Sequence, residues 1–91
     1  MDLSQALHVC RLGATIRDDG GTMKPGWKVE FVPDDTKDNL AKSKLDRLGI
    51  FRYINPKGED AHQLFFKSEH RASVAWNVVD MPPEEKKEKV K

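Results

Sequence analysis

The sequence predicts an α+β fold: a small, mostly antiparallel sheet of four or five strands, with an N-terminal helix and a second helix inserted between strands. Three observations carry this. Apolar residues recur at helical spacing near the start and again around residues 40–48. Short runs of alternating apolar and polar residues, rich in β-branched and aromatic types, fill most of the remainder. Glycine- and proline-bearing turns punctuate those runs at short intervals, as hairpins require.

Leu3, Ala6, Leu7 and Cys10 place one apolar face on a helix over residues 3–12. Asp2 followed by Gln5 reads as a capping box, and Gly13 as the left-handed residue that ends the helix. Residues 14–17 are too short for a helix, and Thr15 and Ile16 favour a strand. Residues 18–26 hold three glycines and a proline and form a loop. Trp27, Val29 and Phe31 alternate with Lys28 and Glu30, the pattern of a strand with one buried face that Pro33 stops.

Asp34, Asp35 and Thr36 are helix-cap chemistry. Leu40, Ala41, Leu45 and Leu48 then predict a second helix that Gly49 ends, with Lys42 and Asp46 paired on its wet side. Residues 50–54 are strand-prone, Asn55 to Gly58 is a turn, and residues 60–66 are the returning strand. Residues 67–71 read as a polar connector. The last strand covers residues 72–79, with Val74, Trp76 and Val78 on one face. One domain is expected over residues 1–80, and a disordered charged tail over residues 81–91.

Composition excludes several function classes. The 91 residues carry 34% charged side chains but a formal net charge of only +1, which argues against a strongly basic nucleic-acid coat. The single cysteine, Cys10, rules out a disulfide framework within one chain and fits a reducing cytoplasm. The first residues lack a basic segment followed by an apolar core, so no signal peptide is read there. No apolar run approaches the roughly 20 residues of a membrane span. A soluble cytoplasmic protein is expected. Cys10 lies on an apolar helix face and reads as core, while His8, His62 and His70 lack metal-ligand spacing. The Gly20, Gly21 pair is not followed by the Lys and Ser/Thr of a phosphate-binding P-loop. The sequence therefore predicts no enzyme, no metal and no cofactor.

Two polar clusters are candidates for binding. Arg17, Lys24 and Trp27 bound or occupy the loop of residues 18–26, and offer a planar fork, a point charge and a stacking face to a nucleotide. Ser68, His70 and Arg71 precede the last strand and offer hydroxyl and cationic contacts to the same ligand, within one chain or from a neighbouring subunit of a homo-oligomer. In the bland alternative Trp27 is core, Arg17 is a solvated strand end and residues 67–71 are an ordinary connector.

Leu3, Ala6, Leu7, Gly13 and then Thr15, Ile16 and Arg17 resemble the opening of the second Thoeris anti-defence family: a helix with Ala-Leu, a closing Gly, and a short strand ending in Arg. Trp27 through Pro33 is similar to that family's next strand. Ser68 through Asp80, with Trp76 followed by Asn77, Val78 and Val79, is similar to its closing segment. The family's tryptophan close behind the strand-end arginine is replaced here by Asp18, Asp19 and Gly20, and the acidic residue before its closing tryptophan by Ala75. The resemblance implies a non-enzymatic phage protein in the host cytoplasm that oligomerises and sequesters a cyclic nucleotide immune signal. It also implies an alternative, an inhibitor of a CRISPR nuclease that binds a host defence protein. A third reading, from the residues, is a small single-stranded nucleic-acid binder using Phe51, Tyr53, Phe65 and Phe66 as stacking platforms.

Overall fold

In a computed structural model, residues 1–59 and 61–81 are described. Helix α1 spans Leu3–Arg11, followed by strands β1 (Thr15–Asp18) and β2 (Lys28–Pro33). A short helix α2 (Lys37–Leu40) and a 3-10 turn (Lys44–Asp46) lead into β3 (Gly49–Ile54) and β4 (Ala61–Gln63). Helix α3 (Ser68–Ala72) and strand β5 (Trp76–Asp80) complete the described elements. The strands form one sheet in the order β4-β3-β2-β1-β5, every pair antiparallel. The fold is α+β, as the alternating patterns and helical spacing predicted.

Each end of α1 is closed by the residues that predicted it. The Asp2 side chain accepts from the Gln5 N–H at 2.9 Å, and the Gln5 side chain accepts from the Asp2 N–H at 3.2 Å. Gly13 sits at φ 115°, where a side chain would be strained. The helix then lays Leu3, Ala6 and Cys10 over β5, β1 and β2. With Ile16, Val29, Trp76 and Met23 they form the buried core. The chain from β4 at one edge returns to β5 at the other across this same face. Phe66 bridges it, its ring 5.5 Å from Phe51 on β3 and 6.1 Å from Trp76 on β5.

The expected second helix does lie between β2 and β3, but it is much shorter than its leucine spacing predicted. The segment makes one turn of helix and one 3-10 turn, and Leu40, Leu45 and Leu48 stand 41%, 41% and 62% exposed. Asn39 explains the break. It is buried at 5% exposure, and its side chain donates to the carbonyls of Asp34 and Leu48 and accepts from the Leu48 N–H. Those bonds fold the segment back on itself, a competition with helix geometry that asparagine is suited to win. Asp46 is held by the Ser43 hydroxyl at 2.8 Å, one residue nearer in the chain than the Lys42 expected to meet it.

Two further boundaries differ. The returning strand ends at Gln63, although the Leu64 N–H still bonds the Phe51 carbonyl. The expected connector at residues 67–71 is helix α3, and the last strand starts at Trp76, leaving Val74 76% exposed. The Lys67 N–H donates to His70 Nδ1 at 2.9 Å, closing the first turn of α3 with a side chain three residues ahead. Except for Met81, the expected charged tail lies outside the described residues.

Candidate functional site

The loop between β1 and β2 is built from two neighbouring residues that face opposite sides of the sheet. Asp18 turns toward the core and has no exposed surface. Its carboxylate accepts from the Gly20 N–H at 2.8 Å, the Ser73 hydroxyl at 2.6 Å and the Thr22 hydroxyl. A β-carbon on Gly20 would stand 2.8 Å from the Ser73 hydroxyl and 3.0 Å from the Asp18 carboxylate, so the close approach requires glycine. Burial pushes the Asp18 carboxyl up, but the bonds from Ser73, Thr22 and Gly20 and the field of His70 outweigh it, leaving it below the ordinary 3.8.

Arg17 closes the loop from the other side. Its Nε meets Asp19 Oδ1 at 2.9 Å, and its Nη1 donates to the carbonyls of Lys24 and Trp27 at 2.9 and 2.6 Å. Asn77 on β5 holds the second Asp19 oxygen at 2.6 Å. Met23 inserts into the core between these anchors. The predicted phosphate fork is thus committed to loop carbonyls, and Arg17 is a positioning residue.

The loop delivers Lys24 and Trp27 to the end of the sheet. The Lys24 N–H donates to the Tyr53 hydroxyl at 2.9 Å. The Trp27 ring lies 4.5 Å from Tyr53, centroid to centroid, at 31°. His62 stands opposite Tyr53 in the β3–β4 register, its ring 5.6 Å from Tyr53 and 6.2 Å from Trp27. Lys24 Nζ lies 5.4 Å from the indole centroid. Trp27 and Tyr53 are partly exposed, and Lys24 and His62 exposed. Three rings and one cation therefore make a shelf at the edge of the core.

Tyr53 and His62 were not singled out for this cluster from the sequence. The signal was present in the turn at Asn55 to Gly58: a hairpin across it sets Tyr53 beside His62 once the register is counted.

The second predicted cluster is not brought onto this shelf. His70 is 6% exposed, packed between Phe66 and Trp76, and its carbonyl accepts from the Trp76 indole N–H at 3.1 Å. It is a core residue, because α3 buries that side of its one and a half turns. Ser68 and Arg71 are exposed on α3, and Arg71 lines a shallow groove with Asp2, Leu3, Ser4 and Leu7 at the start of α1. Of the aromatics proposed for single strands, Phe51 and Phe66 pack on the core, while Phe65 is 71% exposed.

Cys10 is core, as its place on α1 predicted: burial first, and the Glu30 carboxylate second, push its thiol up to about 12. Among the described residues no group of three or more His, Cys, Asp or Glu side chains is placed to hold a metal ion. No helix among them is long and apolar enough to cross a membrane. No protein-family model matches the chain, and no curated protein is significantly similar to it.

Proposed function

We propose that the protein is a non-enzymatic nucleotide-binding protein, and that its role is phage counter-defence by sequestering a cyclic nucleotide immune signal. The observation that carries the reading is the Trp27–Tyr53–His62 shelf with Lys24 beside it. A base stacks on the exposed aromatic edge, and base–aromatic stacking of this kind contributes about 1–3 kcal/mol. Lys24, on a flexible stem, meets the phosphate as a point charge. Arg17 and Asp18 hold the loop in its binding geometry before the ligand arrives, which lowers the ordering cost of capture. Sequestration needs affinity and copy number rather than turnover.

A thermal-shift screen against cyclic dinucleotides and cyclic ADP-ribose isomers tests the reading. A ligand at 100 times its Kd stabilises the folded state by about 2.7 kcal/mol. For a domain of this size that raises Tm by about 10 °C or more. Wild type is expected to shift with one of these ligands, and Trp27→Ala and Tyr53→Ala are expected to lose most of the shift. No shift with any of them at concentrations well above micromolar would refute the nucleotide reading.

One observation favours a second reading, an inhibitor that binds a host defence nuclease. Leu40, Leu45, Leu48 and Ile50 are 38–62% exposed along one stretch of chain from α2 to the start of β3. On that reading Leu48→Glu and Lys42→Glu abolish nuclease binding and leave nucleotide-induced shifts unchanged.

A further inference from the structure

A second polar feature lies away from the aromatic shelf, where the end of α1 meets the segment before β3. Arg11, Gly13, Phe31, Pro33, Lys44 and Arg47 line most of a cavity of about 130 Å³, and among the described residues no acidic side chain lines it. The two guanidinium groups are fixed in place. Arg11 stacks over Phe31 and Phe51, its Cζ 4.8 and 5.6 Å from their centroids, and its Nη1 donates to the Arg47 carbonyl at 2.7 Å. Arg47 Nη2 donates to the Leu40 carbonyl at 2.8 Å and its Nε to the Lys42 carbonyl at 3.2 Å.

Among the described residues neither guanidinium has a carboxylate within ion-pair distance. Arg11 Nε and Nη2 and Arg47 Nη1 make no hydrogen bond there either. Two like charges that line one cavity, one of them over an aromatic floor and both with unused donors, gain most from an anion placed in that cavity. At about 30 Å³ per water, the cavity has room for roughly four waters. That suits one oxyanion group and falls well short of the several hundred Å³ a whole nucleotide occupies.

We propose that this cavity is a binding site for a small oxyanion, free phosphate or the phosphate of a small monoester, gripped by Arg11 and Arg47 against the Phe31 face. The site is separate from the aromatic shelf and does not depend on the nucleotide reading.

The test is NMR titration of the intact ¹⁵N-labelled protein with inorganic phosphate and, separately, phenyl phosphate, each against sodium chloride at matched ionic strength. Saturable shifts are expected at the Leu12 and Gly13 amides and the Arg11 and Arg47 Nε–H signals. Phenyl phosphate binding at least threefold tighter than phosphate assigns a monoester whose apolar body rests on Phe31 and Pro33; equal affinity assigns free phosphate. Arg11→Gln and Arg47→Gln are expected to weaken binding at least tenfold, and the remote Lys67→Gln to leave it unchanged. If a variant fails to fold, the wild-type titration still decides. Shifts that do not saturate, that match the chloride control, or that saturate at Trp27 and Tyr53 instead overturn the proposal.

Discussion

Asp18 shows how a single buried charge organises the loop. Its three hydrogen bonds come from Gly20, Thr22 and Ser73, so one carboxylate ties the β1–β2 loop to the segment between α3 and β5. A carboxyl held below its unfolded value stabilises the fold above that value, near 3.9. The contribution is lost as pH falls through the lower folded value. Asp18→Asn keeps the shape, removes the charge and puts an N–H₂ in place of one of the two oxygens that now each accept a hydroxyl. It is expected to cost about 1.5–3 kcal/mol at pH 7. Urea midpoints of wild type are expected to fall as pH drops from 5 to 2, and those of the variant to fall less. Equal slopes for the two proteins would show that another group carries the acid sensitivity. Asp18 was legible only as a loop boundary, because the Ser73 that completes its shell lies 55 residues away.

At the scale of elements, what could be read from the chain divides cleanly. Local signals held: Asp2 and Gln5 capped α1, Gly13 ended it, and Asn55 to Gly58 made the turn, with Gly58 at φ 74°. Two signals misled. The leucines at 40, 45 and 48 carry helical spacing, but no core lies within their reach, so they stay exposed and Asn39 decides the backbone instead. Residues 67–71 are polar in sequence, yet His70 finds burial between Phe66 and Trp76, and the chain makes a helix there. In both cases the deciding contact is made by a side chain with groups four to nine residues away, which the polar and apolar spacing does not reveal. Asn39→Ala removes three bonds that hold the 34–48 segment closed. It is expected to lower stability by about 1–3 kcal/mol. Hydrogen exchange should rise sharply at the Leu48 amide, whose N–H bonds Asn39 Oδ1, while the Cys10 amide in α1 should change little. Uniform acceleration across the protein would instead mean that this segment does not open by itself.

Across the whole molecule, the sheet order sets where binding chemistry gathers. Loop β1–β2 and strands β3 and β4 meet at one end of the helix-covered face, which brings Lys24, Trp27, Tyr53 and His62 together. Arg11 and Arg47 meet where α1 ends against the segment before β3. The first group was half legible, since Arg17, Lys24 and Trp27 stand near one another in the chain. The second was not, since 36 residues separate its two arginines. The molecule also supplies its own reporter. Trp76 is fully buried and Trp27 partly exposed, so Trp76→Phe leaves one indole, on the shelf. The most direct measurement is a fluorescence titration of that variant with the cyclic nucleotide that gives the largest thermal shift. Stacking on the shelf predicts saturable quenching of Trp27, with a Kd that matches the wild-type thermal shift and is lost in Tyr53→Ala. Unchanged Trp27 emission at ligand concentrations that saturate the thermal shift would place the ligand elsewhere and contradict the shelf as the binding site.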